Sequence, residues 1–152
     1  MLNKKTQYAL QALKYLVEHQ SEGPVLIAEI SKEKQIPLKF LENILLELKK
    51  MGVLQSKKGK GGGYFIHPEA MHTPLANIIR NIEGPIAMLP CASLYFYERC
   101  ENCNEKNCGL HETMVLVRDA TLQVLGTRTL QDLAGNTPFS ESTQSYKSGW
   151  GV

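Results

Sequence analysis

The chain has 152 residues, 43% of them hydrophobic, which suffices for one compact domain with an appended element but is short for two independent cores. Net charge is only +2, yet residues 1–67 hold eleven lysines against six glutamates while the remainder carries an acidic excess, so the N-terminal half is the candidate face for a polyanion. No apolar run of roughly eighteen residues occurs and the start Met1-Leu2-Asn3-Lys4-Lys5 lacks a signal-peptide core, so no membrane association and a cytoplasmic protein are expected.

From Lys4 to His19 the apolar positions Ala9, Ala12, Leu13, Leu16 and Val17 follow helical spacing, which predicts a first amphipathic helix. Glu22-Gly23-Pro24 breaks it, and a short second helix is expected from about Leu26 to Lys34, burying Ile27 and Ile30 before a turn at Gln35-Ile36. Pro37 suits the first turn of a third helix, where its missing N–H is not needed. Leu41, Ile44, Leu45 and Leu48 form the core stripe of that helix, and Lys39, Glu42, Asn43, Glu47 and Lys50 are left outside it. Gly52 is placed to cap its C-terminus.

The pattern then changes to two short extended segments, Val53-Leu54-Gln55-Ser56 and Gly63-Tyr64-Phe65-Ile66, joined by a basic, glycine-rich tip. Thr73 and Pro74 open a short helix with Leu75, Ile78, Ile79 and Ile82 that ends near Glu83-Gly84-Pro85. Residues 86–110 read as an irregular loop holding all four cysteines, and Leu110 to Leu125 as a long helix. That helix has no core of its own, so it is assigned to dimerisation. Thr129 to Asp132 has capping-box spacing and predicts a short final helix.

The fold class expected is mainly α with a small β-hairpin wing: a winged helix-turn-helix over 1–85, a cysteine-rich loop over 86–110, a dimerisation helix and short terminal helix over 111–134, and a flexible tail over 135–152. An exposed helix fits a major groove while a hairpin tip reaches the minor groove or the phosphates, so the third helix is the expected reader of double-stranded DNA. Asn43 suits an adenine edge, Lys39 guanine or phosphate, and Glu42 cytosine. Lys57, Lys58 and Lys60 lie among glycines at the tip, where they displace counterions from the duplex. With Pro37 at the helix start, these residues make up the candidate DNA-contacting set.

Gln7-Tyr8-Ala9-Leu10, Ile36 to Glu42, Gly59 to Tyr64 and Ile78 to Pro85 together resemble the Rrf2 family of bacterial transcription regulators in order and spacing, over about residues 1–134. The resemblance implies a winged-helix homodimer with crossing C-terminal helices and a pseudo-palindromic promoter site. By that resemblance Lys39, Glu42 and Asn43 occupy base-reading positions and Lys58 matches a wing arginine, whose forked contacts a lysine cannot make. The chain also carries Lys60 where the family often has proline.

Cys91, Cys100, Cys103 and Cys108 give the spacing C-x8-C-x2-C-x4-C, followed by His111. In a reducing compartment such a group reads as metal, cluster or redox chemistry, and soft thiolates suit either zinc or an iron-sulfur cluster. The resemblance tilts the choice to a cluster, since several members hold one through three loop cysteines plus a histidine beyond the last of them or an acid in the first helix. Gln7 stands where that acid would fall, and His111 is kept. The expected ligands are Cys91, Cys108 and one or both of Cys100 and Cys103, with His111 in reserve. Zinc, or a cluster-free thiol switch or partner sensor of the same fold, are the alternatives. No enzyme is expected: there is no phosphate loop between strand and helix and no nucleophile with a paired base, and the Cys100–Cys103 pair lacks a thioredoxin-like context.

Overall fold

A computed structural model describes residues 2–135. Helix α1 spans Lys4–Glu18, α2 Ile27–Lys34 and α3 Leu38–Lys50. Strands β1 (Leu54–Lys57) and β2 (Gly63–Ile66) follow, then α4 (Leu75–Glu83) and α5 (Gly109–Thr127). Short 3-10 turns include Pro90–Ala92 and Glu105–Asn107 in the cysteine loop and Leu130–Ala134 after α5. The tail expected over 135–152 lies, from residue 136 onward, outside the described residues.

Each boundary has a local cause. The Asn3 side chain accepts from the Thr6 N–H at 2.9 Å and starts α1. Gln35 turns the chain between α2 and α3 with a left-handed φ of 52°, and Gly52 does so after α3 with 75°. The stripe Leu41, Ile44, Leu45 and Leu48 is buried as its spacing requires. Of the two isoleucines expected inside from α2, Ile30 is buried and Ile27 only partly.

The first strand begins one residue later than its apolar run suggests and takes in Lys57, because the antiparallel register sets Leu54 against Ile66 and Lys57 against Gly63. A third extended segment joins this hairpin. Val25 and Tyr64 exchange both backbone hydrogen bonds at 2.8 Å, tying the entrance of α2 to β2. Gly63 permits this approach, since a Cβ there would strike the Val25 carbonyl.

One apolar core runs from α1 to the turn at Leu130–Ala134. Ala9, Leu13 and Leu16 meet Ile30, Leu41, Leu45, Leu54 and Ile78, and the fully buried Leu130 enters from the turn beyond α5. That turn is held by the Thr129/Asp132 capping box and by Leu130 donating to the Thr73 carbonyl at 3.0 Å. At the opposite side, the Glu83 carboxylate accepts from the buried Thr6 hydroxyl and from the Asn3 N–H at 3.1 Å, joining the end of α4 to the start of α1.

Tyr15 links α1 to α2: its ring stacks on His19 at 4.0 Å and its hydroxyl donates to Glu29 at 2.8 Å. That bond, helped by burial, pushes the phenol pKa up to about 12 from 10. Tyr15→Phe is expected to cost about 1.5–3 kcal/mol in urea unfolding at neutral pH, the usual worth of a hydrogen bond to a charged acceptor. Because the folded-state value is raised, the contribution is complete below pH 10 and fades between about pH 10 and 12, so the two proteins should converge in stability across that window.

Candidate nucleic-acid interface and cysteine loop

Helix α3 buries one stripe and turns the other face outward. Pro37, Lys39 and Asn43 are exposed and Glu42 is half-buried. Lys39 and Glu42 pair at 3.3 Å across one turn, with the lysine side chain 91% accessible. Such a solvated pair contributes well under about 1 kcal/mol, so a phosphate or base edge can separate it at little cost. The Asn43 amide has no partner among the described residues and is free to meet a base edge.

Two contacts hold this helix in register with its surroundings. Lys5 on α1 pairs with Glu47 at 2.6 Å, and Lys49 donates to Ser56 on β1 at 2.6 Å, so α3 and the hairpin are joined directly. Lys57, Lys58 and Lys60 are exposed, and none forms an ion pair with a described residue. Gly59 and Gly61 adopt φ of 89° and 71°, and Gly62 packs so tightly on the Lys57 and Gly59 carbonyls that a Cβ would collide with them. The glycines of the tip therefore shape the wing itself, and the lysine ammonium groups project from it.

The cysteine loop is anchored more firmly than its composition suggests. The Arg118 guanidinium on α5, largely buried, donates to the Ala92 carbonyl at 2.6 Å and pins the turn that carries Cys91. Arg80 on α4 lies over the Tyr95 ring, 4.5 Å from its centroid. Tyr97 donates to Glu105 at 2.8 Å, and that carboxylate holds the phenol proton more tightly than usual. None of these pairings is readable from local sequence, since each joins residues brought together only by the fold.

Three of the four thiols lie together. The neighbouring Cys100 thiol most of all, with burial and then Cys108, pushes the Cys103 thiol up to about 12 from 9. Cys108 caps α5, its sulfur accepting from the His111 N–H at 3.4 Å. The His111 Nδ1 atom is buried without a hydrogen-bond partner. Cys91 sits on the separate Pro90–Ala92 turn. Among the described residues no three His, Cys, Asp or Glu side chains surround a metal-sized point. As donors they still suit a thiophilic group: three adjacent soft sulfurs and one unengaged imidazole nitrogen.

A three-helix unit with an exposed third helix and a lysine-tipped hairpin defines a winged helix-turn-helix DNA-binding protein. The model of the Rrf2 family, described as iron-dependent transcriptional regulators, matches residues 2–136, and the chain belongs to that family. It is similar to an rrf2-like HTH-type transcriptional regulator of Rhodobacter capsulatus, with 36% identity over 90% of this chain and 95% of that one. The HTH-type transcriptional regulator IscR of Photorhabdus laumondii is 29% identical over 89% of this chain and 79% of its own length. Among solved structures, CymR, the global cysteine regulator of Bacillus subtilis, superposes with a TM-score of 0.71 and 28% identity, over 91% of this chain and 98% of that one. The protein is thus a transcription regulator of the Rrf2 type and not an enzyme. No described helix is long and apolar enough to cross a membrane.

Proposed function

We propose that the chain acts as a homodimer on pseudo-palindromic promoter DNA, reading bases with Lys39, Glu42 and Asn43 and gripping phosphates with Lys57, Lys58 and Lys60, while the cysteine loop sets its affinity. The observation that carries this reading is the outward face of α3, polar and unpartnered at Asn43 and joined to the lysine wing through Lys49 and Ser56. Asn43→Ala should relax base preference at one position of the site while leaving binding to random duplex unchanged. A uniform loss on every sequence, measured by fluorescence anisotropy, would overturn the assignment.

Support for a dimer comes from α5. None of its residues is fully buried within the single chain, although Met114, Val117, Leu122, Val124 and Leu125 are apolar. An apolar groove of about 620 Å³ runs beside it, lined by Ile79, Ile86, Met88, Val117 and Leu125. A second copy of the helix is the natural filling.

For the loop, an iron-sulfur cluster held by Cys91, Cys108 and one or both of Cys100 and Cys103, with His111 as the reserve ligand, is the favoured reading. When bound, such a group supplies a redox- and oxygen-sensitive centre. The chain's own part would be to hold the thiols: Cys108 caps the N-terminus of α5, and Cys91 precedes Ala92, whose carbonyl Arg118 pins. A change there can bias DNA affinity only by favouring one dimer geometry over another. Visible absorption with iron and sulfide analysis of protein purified without oxygen should show charge-transfer bands and matched iron and sulfide. A colourless protein that resists reconstitution would overturn the cluster.

The two free thiols of Cys100 and Cys103, neighbours in the loop, favour a second reading, a cluster-free switch. A peroxide would take two electrons and two protons from the pair, leaving a disulfide and water. This reading expects an iron-free protein whose DNA affinity changes with peroxide and is restored by a thiol reductant, with no change in a Cys100→Ser variant.

A further inference from the structure

The polar trio on the outward face of α3 is bracketed by two leucines that fold and core do not explain. Leu38 opens the helix and is 44% exposed, and Leu46, two turns later, is 49% exposed. Both lie on the row Leu38-Glu42-Leu46, four residues apart at each step, beside the neighbouring row Lys39-Asn43. Neither belongs to the core or to the apolar side chains packed against it. Phe40, also exposed, differs from them, because its ring meets Tyr8 of α1 edge-on at 5.8 Å.

A single exposed leucine needs no explanation on an ordinary surface. Here two occupy the face that carries Lys39 and Asn43, with the cationic Lys49 and Lys50 at the end of the same helix. A face of that charge approaches a polyanion, and once it enters a major groove the groove offers one apolar feature at a base edge: the C5 methyl of thymine. Burying leucine against that methyl removes apolar surface from water on both sides. It also discriminates, because cytosine, guanine and adenine present no such group there.

Resting on α3 as the reading helix, we infer that Leu38 and Leu46 are thymine-reading residues, each packing against one thymine methyl at opposite ends of the segment read by Lys39, Glu42 and Asn43. Eight residues of helix span about 12 Å, or roughly three to four base-pair steps. The two thymines are therefore three or four steps apart in each half-site, with the hydrogen-bonded bases between them.

The test uses the full-length protein and the tightest duplex selected from a random-sequence pool. Thymines are replaced one at a time by deoxyuridine, which keeps all base pairing and removes only the methyl group. Two positions in a half-site, three or four steps apart, should each lose about fourfold in affinity, the size expected for one buried carbon group. Leu38→Ala should erase the loss at one of them and Leu46→Ala at the other, whereas Leu38→Met should retain it. Deoxyuridine without effect at every position, in wild-type protein whose base preference is still relaxed by Asn43→Ala, would overturn the inference while leaving α3 as the reader. Loss at one position only would overturn it for the leucine whose variant is silent. If Asn43→Ala and both leucine variants leave base preference untouched, the reading helix itself is misassigned. Both leucines stand clear of the core, so unfolding of the variants does not confuse these outcomes.

Discussion

Lys58→Ala with Lys60→Ala should weaken DNA binding by about a thousandfold near 0.15 M salt and flatten the salt dependence by about 3.6 in log–log slope. Each lysine–phosphate contact contributes about 0.9 to that slope through counterion release, which near 0.15 M salt is worth about fivefold in affinity. The proposed dimer, with two such wings, loses four contacts. Both side chains are exposed and unpaired in ion bridges, so their removal takes nothing from the fold. The loss should be the same on specific and random duplex, because phosphates carry no sequence. Titrations at several salt concentrations separate the outcomes: an unchanged slope would place the wing away from the backbone, and half the expected change would mean that one wing engages or that one lysine does not.

Val117→Glu should convert the dimer to monomers in sedimentation equilibrium and lower affinity for a full site by more than a hundredfold. Val117 lines the groove between α5 and the segment after α4 and is only half-buried within one chain. A carboxylate there can stay solvated in the monomer. In the proposed dimer the groove is covered, and an unpaired buried charge costs several kcal/mol. Binding to an isolated half-site should survive, which distinguishes lost association from a lost fold. A dimer that persists in this variant would move the contact to another face, such as the exposed Leu94, Tyr95 and Phe96.

How far the sequence discloses the molecule depends on the distance over which each interaction acts. The stripe Leu41, Ile44, Leu45 and Leu48 is a periodicity within one helix, and all four residues are buried. Thr129 and Asp132 form their capping box from a three-residue spacing, and the Gln35 and Gly52 turns are equally local. The node of Asn3, Thr6 and Glu83 spans some eighty positions, and no local pattern foretells it. The same is true of the Val25–Tyr64 bridge and of Arg118 on the Ala92 carbonyl. Glu83 and Gly63 were legible as parts of motifs, yet their tasks, capping α1 and admitting Val25, became visible only in three dimensions.

The candidate site divides in the same way. The reading face follows from helical spacing, because positions left outside a core stripe must face outward. The cysteine spacing marks a cluster of soft donors but says nothing of order in space. That Cys103 neighbours both Cys100 and Cys108, and that the His111 Nδ1 atom is buried without a partner, depends on the path of an irregular loop.

The buried Leu130 ties the end of α5 into the same core that supports α3. Residues 1–85 hold every reading element, but without the last turn they would keep an unfilled cavity the size of a leucine side chain, a defect that commonly costs about 2–5 kcal/mol. A fragment ending there would make a poor stand-alone DNA probe, and fusing it to a foreign dimerisation helix would not repair it. Any event that pulls α5 away from the body must also draw a plug from the core. Under the role proposed for the cysteine loop, a change in its occupancy should be visible as a shift in melting temperature before any DNA is added.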